Sequence, residues 1–288
     1  MKTSIILPNW NGRALLTKNL PFVVATHPDE IIVVDDGSTD GSVGYLREHY
    51  PQVKVVVHEK NQGFGKSCND GVQQAKGDII ILLNTDVVPE EDILEHVTPH
   101  FADTSVFAVS LKEKTHSWAK ASFNGFVNHG PGDVMSSTHI SFWANGGSSA
   151  ISKEKWDILR GFDELYAPFY WEDIDLSYRA WKRGWKVLWE PDALVEHKHE
   201  STIGKHFSKS YVESISQRNE LIFIWKNITD QDLFIQHVKA LGKRIAHHPT
   251  YVSRVFTMMT NLPRILRKRK VERAESKRSD KEIFAQFP

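Results

Sequence analysis

Short, uninterrupted apolar runs in the first part of the chain constrain the fold more than any other feature of the sequence. Runs of this length and composition are typical of strands buried on both faces of a sheet. Segments with helical patterns lie between them, and this alternation predicts an α/β fold with a parallel sheet. The runs are residues 4–7, 31–34, 53–57 and 79–83; the helical segments are residues 15–25, 42–49 and 66–76, with Gly77 as the C-cap of the last.

Polar or acidic residues follow three of these predicted strands. They are residues 9–11 (Asn-Trp-Asn), the pair Asp35-Asp36, and residues 84–86 (Asn-Thr-Asp). In open α/β sheets, ligands bind beyond the carboxyl ends of the strands. We therefore expect the three segments to converge on one crevice, an inference that rests on topology alone.

The rest of the first two hundred residues is less regular in pattern. Residues 112–137 are rich in Ser, Asn, His and Gly and are predicted to form an irregular or mobile segment. Apolar residues at helical spacing then predict a helix that Gly184 closes, followed by a strand over residues 185–189. The apolar residues of that helix are Ile174, Tyr178 and Trp181.

The pattern becomes helical after about residue 205, so we interpret residues 206–288 as a C-terminal helical extension. Ser279 and Glu282 have the spacing of a capping box near its end. Residues 264–281 hold nine Lys and Arg against three acidic residues. A basic helix with apolar residues can bind an anionic lipid surface, but a solvated helix packed on its own domain explains the pattern equally well.

Composition and charge exclude several classes of protein. The chain of 288 residues has 36 Lys and Arg against 36 Asp and Glu, so no overall field attracts it to nucleic acid. The single cysteine, Cys68, suits a reducing compartment. No signal-peptide pattern and no apolar run of about 20 residues is present. We therefore expect a cytoplasmic protein, with the inner face of the membrane as a further location if the basic region binds lipid.

Asp35 and Asp36 are candidates for nucleotide contacts, because a carboxylate at a strand end can accept hydrogen bonds from a base or a ribose. A turn in which Asp caps the next helix is the simpler alternative, but two adjacent carboxylates favour a ligand site. A dehydrogenase is rejected. The turn after the first strand, residues 8–12, lacks the glycine-rich fingerprint, and the Gly-Phe-Gly at residues 63–65 comes too late in the chain.

Three further groups of residues are candidates for chemistry. Asp86 is a hard oxygen ligand suited to Mg²⁺ or Mn²⁺ beside a diphosphate, although it could instead cap a helix that starts near Pro89. Glu172 and Asp173 precede a helix, where acids gain at most about 1 kcal/mol from the helix dipole. Their aromatic surroundings favour a general base instead. Of His197 and His199, one is predicted to contact a metal or a diphosphate.

The ordered set of motifs resembles family 2 glycosyltransferases with the GT-A fold, particularly the bacterial branch that includes rhamnosyltransferases. The resemblance covers residues 1–205, with a nucleotide-binding half (1–88) and an acceptor half (89–205), and implies a mixed, mostly parallel sheet flanked by helices. The matching stretches are residues 4–12, 33–40, 61–65, 77–87, 161–164, 171–176 and 184–186, with Arg179 and His197.

The resemblance also implies roles for individual residues. Asp36 would read the base with Asp35 beside it, Asp86 would bind the metal, and Asp173 would be the catalytic base. The remaining implied site residues are Pro8, Asn11, Asn84 and Thr85 at the nucleotide, Glu172 beside the base and His197 near the metal, with Arg218 and Asn219 as a pair of less defined role. Asn84 departs from the family's D-x-D element, whose first position is usually acidic.

The activity that the resemblance implies is inverting transfer of a hexose or deoxyhexose. The donor would be a UDP- or dTDP-linked sugar, and the acceptor a saccharide or a lipid-linked molecule of cell-surface polysaccharide synthesis. A divalent metal, Mn²⁺ or Mg²⁺, would be the cofactor. Two alternatives are a sugar nucleotidyltransferase and a non-catalytic nucleotide-sugar-binding relative. Nucleotidyltransferases usually have a Gly- and Arg-rich loop after the first strand, and residues 9–13 (Asn-Trp-Asn-Gly-Arg) do not match it. The intact Glu172-Asp173 pair argues against a non-catalytic relative.

Overall fold

The computed structural model describes residues 1–114, 117–197 and 207–287, and within them the chain forms one large mixed sheet and one small one. The large sheet has the order β3-β2-β1-β4-β10-β6-β11-β5, with β9 paired to β11, and β7-β8 is a separate hairpin. The strands are β1 (Thr3–Asn9), β2 (Glu30–Asp35), β3 (Lys54–Val57), β4 (Ile79–Leu83), β5 (Val87–Pro89), β6 (Val106–Glu113), β7 (Ala119–Phe123), β8 (Val127–Pro131), β9 (His139–Ile140), β10 (Ser148–Ser152) and β11 (Lys186–His197).

The helices flank the large sheet and continue to the end of the described chain. They are α1 (Arg13–Ala25), α2 (Ser42–His49), α3 (Phe64–Gln74), α4 (Ile93–Val97), α5 (Lys153–Leu159), α6 (Glu172–Lys182), α7 (Lys209–Asn227), α8 (Gln231–His247), α9 (Val252–Met259), α10 (Leu262–Glu275) and α11 (Asp280–Phe284). Short 3₁₀ turns cover Thr98–Ala102, Glu164–Tyr166 and Pro249–Tyr251. The predicted capping box at Ser279 and Glu282 is confirmed at the start of α11.

The uninterrupted apolar runs are explained by a sheet with a hydrophobic layer on each face. Along β1, Ile6 joins the cluster on one face while Ile5 and Leu7 join the cluster on the other. The same division separates Leu82 from Ile81 in β4. Because both faces are covered, apolar residues follow one another without polar alternation, and the prediction of strands buried on two sides is confirmed for β1, β2 and β4. It is wrong for β3, which lies at the edge of the sheet and has no buried residue.

The middle of the chain is more regular than its composition indicates. Residues 112–137 were predicted to be irregular, but they contain the end of β6 and the β7-β8 hairpin, with residues 115 and 116 outside the described chain. The physical reason is that Trp118, Ala121 and Phe126 are buried in the core and anchor the hairpin. The strand predicted over residues 185–189 is likewise longer, because β11 continues to His197 through an irregular register with β6.

Gly77 does not cap a helix, so that prediction is wrong. Helix α3 ends at Gln74, and its C-cap is Ala75 in an extended conformation. Gly77 instead passes so close to β1 that an added Cβ would lie 2.5 Å from the Oγ atom of Ser4. Pro89 does not start a helix either, since it is the last residue of β5.

The C-terminal helices are joined to the sheet by buried charges as well as by apolar contacts. Helix α6 is the centre of this network. Lys182 of α6 contacts Asp280 at 2.9 Å, and both side chains are fully buried. Arg183, which follows α6, is paired with Glu272 of α10. These two ion pairs therefore fix helix α6, which begins with Glu172, to the C-terminal helices α10 and α11.

Candidate active site

A cavity of about 480 Å³ lies beyond the carboxyl ends of β1, β2 and β4. The parallel pairing of β1 with both neighbours sets Asn9 opposite Asp35 and Ile6 opposite Leu82, so all three strands end at one edge. The site residues expected from the sequence that line the cavity are Pro8, Asp36, Asn84, Thr85, Asp86, Glu172, Asp173 and His197. Asn11 and Asp35 are not among the lining residues.

Asn11 and Asp35 bind the loops that form the cavity wall. The Asp35 carboxylate accepts hydrogen bonds from the side chain of Asn9 at 2.8 Å and from the amide of Ser38 at 2.9 Å. The Asn11 side chain accepts a hydrogen bond from the amide of Thr39 at 2.8 Å. Asp35 is buried behind the wall and Asn11 is exposed at the surface, and the two residues fix the turn after β2 against the turn after β1.

Asp36 lines the cavity and also organises a neighbouring loop. Its carboxylate accepts hydrogen bonds from the amides of Gln62 and Gly63, each at 2.8 Å. The Nδ1 atom of His58 lies 2.7 Å from the same carboxylate, and the Nε2 atom lies 3.0 Å from Asp70. Sequence reasoning missed His58, because nothing near it in the sequence indicates that two distant carboxylates would enclose its ring.

Asp86 and His197 also line the cavity and contact each other. The Nε2 atom of His197 is 3.2 Å from Asp86, and the Nδ1 atom is 3.1 Å from Glu113. Burial alone would lower the pKa of His197, but its hydrogen bonds with Asp86 and Glu113 raise that pKa to about 10. Glu113 was not predicted as part of the site, and it accepts hydrogen bonds from two residues more than 30 positions away, Asn145 and Ser148 at the start of β10.

Asp86 and His197 supply a carboxylate and an imidazole, both ligands that a divalent cation such as Mn²⁺ accepts. Glu113 contacts the His197 ring on the side away from Asp86. Metal-binding histidines are commonly oriented by a second carboxylate in this way. Nε2 can bind a cation only when it carries no proton, and Nδ1–H then donates to Glu113. Within the described residues, no three His, Cys, Asp or Glu side chains form a complete cluster of ligands. His199 lies outside the described residues.

Glu172 and Asp173 begin α6 and line the cavity. Asp173 accepts hydrogen bonds from the amide of Ile174 at 2.8 Å and from the amide of Gly146 at 3.2 Å. Burial raises the pKa of Asp173, and burial together with the adjacent Asp173 charge raises that of Glu172 well above its usual range. A carboxylate that is at least partly buried and has a raised pKa is expected of a general base that works near neutral pH.

The loop before this acid pair has an unusual backbone. Tyr170 and Trp171 have φ values of 70° and 77°, in the left-handed region that non-glycine residues rarely adopt. The amide nitrogen of Asn219 in α7 donates to the carbonyl oxygens of Tyr166, Phe169 and Tyr170 at 2.8, 3.0 and 2.8 Å. Asn219 is fully buried, so its side chain clamps the loop that leads into Glu172.

The comparisons with known proteins agree with this architecture. The model of the family described as Glycosyl transferase family 2 matches residues 4–132. An uncharacterized glycosyltransferase of Nostoc sp. is 35% identical over 114 residues, which cover 38% of this chain and 35% of that protein. The O-antigen chain rhamnosyltransferase RfbN of Salmonella typhimurium is 24% identical over 225 residues, covering 73% of this chain and 71% of that protein. In this Nostoc protein and in two other curated relatives, a β-monoglucosyldiacylglycerol synthase and a pre-mycofactocin glycosyltransferase, the matched region spans 35% to 43% of the relative's length.

Solved structures share the fold at low sequence identity. The structure of GalNAc-T7 with UDP, GalNAc and Mn²⁺ has a TM-score of 0.66 and 18% identity, and covers 80% of this chain and 48% of that one. The mannosyltransferase PcManGT of Pyrobaculum calidifontis, in complex with GDP-Man and Mn²⁺, has a TM-score of 0.56 and 16% identity, and covers 95% and 84%. With the sheet order, the solved structures show that the chain has the GT-A fold, and the family match shows that residues 4–132 are similar to glycosyl transferase family 2.

Proposed function

We propose that the protein transfers a sugar, with inversion, from a UDP- or dTDP-linked donor to a hydroxyl group of a saccharide or lipid-linked acceptor in cell-surface polysaccharide synthesis. The observation that carries this proposal is one cavity that holds both Asp173 and the Asp86–His197 pair. A base for the acceptor and ligands for a diphosphate-bound cation are the two requirements of such a reaction.

In the proposed reaction, the acceptor oxygen attacks the anomeric carbon while the bond from that carbon to the diphosphate oxygen breaks. Asp173 takes the proton of the acceptor hydroxyl, and the amide of Gly146 holds its carboxylate in place. Asp86 and His197 would hold Mn²⁺ or Mg²⁺, which when bound offsets the negative charge that grows on the departing diphosphate. Pro8, Asp36, Asn84 and Thr85 would contact the nucleotide, while Asn11 and Asp35 would hold the turns after β1 and β2 together.

A panel of UDP-, dTDP- and GDP-linked sugars, incubated with the protein and Mn²⁺, tests the proposal. We expect release of the nucleoside diphosphate from one donor class, and a faster release when a suitable acceptor is added. If the protein instead joins a nucleoside triphosphate to a sugar phosphate and releases pyrophosphate, it is a nucleotidyltransferase. If it binds a donor and never cleaves it, the catalytic part of the proposal fails.

Replacing Asp86 by Ala should remove most of the metal-dependent affinity for a nucleoside diphosphate. Calorimetry of UDP and dTDP with and without Mn²⁺ measures this, and losing one ligand of the pair should weaken metal-dependent binding by about 10- to 100-fold or more. Asp92→Ala is a matched control, because Asp92 is exposed at the start of α4 and contacts only His96 among the described side chains. Equal Mn²⁺-dependence in the Asp86→Ala variant and the wild type would refute the assignment.

We also propose peripheral association with the membrane through one face of α9 and α10. Part of the basic region is engaged inside the protein: Lys268 contacts Asp163 at 2.9 Å, and Arg269 donates to the carbonyl of Trp225. The outward face of α10 keeps the cations Arg264, Arg267, Lys270 and Arg273 exposed without an exposed carboxylate between them. Phe256, Met259 and Leu266 are 66%, 47% and 48% exposed beside these cations in the sequence.

This face has the composition of a surface that binds anionic lipid, in which cations meet the headgroups and a few apolar side chains enter the boundary. None of the helices in the described parts of the chain has the length and apolar character needed to cross a bilayer. Arg264 also lines a smaller cavity of about 200 Å³ that shares Gly63, Pro168 and Glu172 with the wall of the main cavity. A membrane at this face would therefore lie beside the acceptor half of the site.

Changing Arg264, Arg267 and Lys270 together to Glu should abolish binding to anionic vesicles. Each basic residue near such a surface contributes about 1 kcal/mol, so loss of three lowers the partition coefficient by at least about 100-fold. Sedimentation with phosphatidylglycerol-containing vesicles measures this. The control changes Lys18, Arg47 and Lys76 to Glu, three exposed cations of the nucleotide-binding half. Similar binding by the two triple variants would show that the C-terminal face is not the contact.

A further inference from the structure

Four aromatic rings gather at the acceptor end of the main cavity. Phe169, Tyr170 and Phe207 line the cavity, and Tyr211 stacks on Phe207 with ring centres 5.4 Å apart and planes 21° apart. Phe169 is buried in the middle, 5.1 Å from Tyr170 and 5.3 Å from Phe207. Tyr170 and Tyr211 are 42% and 43% exposed, so two large rings of this cluster remain open to solvent.

The exposure of Tyr170 is maintained at a cost. A non-glycine residue in a sparsely populated backbone region costs on the order of 1–3 kcal/mol, and such residues persist only where the surroundings enforce them. Here the enforcing group is Asn219, whose side-chain amide donates to the Tyr170 carbonyl at 2.8 Å. Asn219 thus holds Tyr170 in a strained backbone conformation that leaves its ring exposed to solvent. This indicates that the ring binds a ligand rather than packs in the core.

Along the sequence, Tyr170 is close to the proposed base and far from the proposed nucleotide contacts. Tyr170 precedes Glu172 by two residues and Asp173 by three, whereas Asp36, Asn84 and Asp86 belong to the nucleotide-binding half. The side chains from β2 and β4 that face this space are polar, and those of the loop at 168–170 are apolar or aromatic. Trp10, Leu15 and Phe64 also line the cavity, so the contrast is between the ends of β2 and β4 and the loop at 168–170.

We propose that Tyr170, with Phe207 and Tyr211 beside it, forms a subsite that binds the pyranose ring of the acceptor by stacking. A pyranose has an apolar C–H face and a polar rim of hydroxyl groups. An aromatic ring covers the apolar face, a tyrosine hydroxyl can hydrogen-bond to the rim, and the next residues along the loop bring Asp173 toward an acceptor hydroxyl. This inference rests on the proposed glycosyl transfer and specifies the part of the site that selects the acceptor.

The nucleobase of the donor is the other planar or ring-shaped group that could stack on these residues. Binding of the nucleobase and binding of the acceptor at Tyr170 predict different results for a variant that lacks the Tyr170 ring. If the base stacks on Tyr170, removal of the ring weakens nucleoside diphosphate binding. If the acceptor stacks there, nucleoside diphosphate binding is unchanged and only the saccharide is lost.

Saturation-transfer difference NMR with methyl hexopyranosides, in the presence of UDP or dTDP and Mn²⁺, tests the subsite without requiring turnover. We expect the ring C–H protons of at least one glycoside to receive saturation from the wild type and to lose most of it in Tyr170→Ala. Tyr170→Phe should retain the effect. Tyr45→Ala is the control, since Tyr45 lies on α2, among its own neighbours His49 and Tyr50.

Kinetics then separate this inference from the function on which it rests. Where the wild type transfers a sugar, Tyr170→Ala should raise the acceptor KM at least tenfold while donor hydrolysis without acceptor and the Kd of the nucleoside diphosphate stay the same. An unchanged acceptor KM and unchanged NMR signals, or a weakened nucleoside diphosphate Kd, would overturn the subsite. Absence of donor cleavage by the wild type would instead overturn the proposed transfer, and the NMR result would still decide whether the rings bind a saccharide.

Discussion

Replacing Asp173 by Asn is expected to lower kcat for sugar transfer by about 10²- to 10⁴-fold, the usual contribution of a general base. Asn has the same shape and can still accept the hydrogen bond from the amide of Gly146, so the cavity should keep its form. What it cannot do is take the proton of the acceptor hydroxyl. The measurement is a transfer assay under saturating donor and acceptor, paired with calorimetry of the nucleoside diphosphate, whose Kd should change little.

The comparison variant for this experiment is Asp157→Asn, because Asp157 is exposed on α5 and pairs only with Lys153 among the described charges. It should transfer sugar at the wild-type rate. Near-normal turnover by the Asp173→Asn variant would show that another group is the base. A large loss of nucleoside diphosphate affinity in that variant would show that Asp173 supports the donor rather than the acceptor.

The pH dependence of kcat provides an independent check on Asp173. A base must be deprotonated to act, so activity falls as pH falls through the pKa of that carboxyl. Burial raises the pKa of Asp173 above the ordinary value of 3.8. We therefore expect the acidic limb of the kcat profile of the wild type to lie at higher pH than a solvent-exposed aspartate would give, and to be absent from the residual activity of Asp173→Asn.

Much of the structure of residues 1–88 could be predicted from the sequence, because its determinants are local. Four apolar runs identify β1 to β4, and the polar residues at their ends mark the edge at which the cavity forms. The roles of Asp36 and Asp86 stay predictions, yet their positions on the cavity wall follow from strand order alone. A parallel sheet leaves few other places for residues directly after its strands.

The residues that support the site could not be predicted, because their roles depend on contacts between distant parts of the chain. Glu113 supports His197 across 84 positions, His58 joins Asp36 across 22, and Asn219 reaches back about 50 residues to the loop at 166–170. None of these three residues lies in a local pattern that separates it from other polar residues. The family resemblance drew attention to Asn219 but gave it no physical role, and the role in the loop becomes visible only in three dimensions.

Lys226 should be the most destabilising position to neutralise in the C-terminal helices. Its Nζ atom lies 2.6 Å from Asp163 and 2.8 Å from Asp175, and the side chain is 2% exposed. Lys226→Met leaves two buried carboxylates with less compensating charge, and breaking a buried ion pair from one side costs about 3–5 kcal/mol. At about 2–4 °C per kcal/mol for chains approaching this size, Tm should fall by roughly 10 °C. Urea unfolding and thermal melts measure the two quantities.

Lys153→Met is the matched control, since Lys153 forms a partly exposed pair with Asp157 at 2.8 Å. Removing such a pair should change the free energy of unfolding by no more than about 1 kcal/mol. If both variants were equally stable, the buried network would not hold the C-terminal helices to α6. The domain division at residues 205 and 206 would then describe two units that are stable independently, rather than one cooperative body.

The pH dependence of the Lys226→Met deficit identifies its electrostatic origin. Burial alone would raise the pKa values of Asp163 and Asp175, but the Lys226 charge opposes it and holds both below the ordinary value. Depressed carboxyl pKa values stabilise the fold above the unfolded pKa of about 3.9 and cease to do so as pH falls toward the folded values. Without Lys226 the two carboxyls can protonate at higher pH, which relieves the buried charge. The difference in unfolding free energy between wild type and variant should therefore be largest near neutral pH and shrink on acidification, whereas a deficit caused by lost packing would not change with pH.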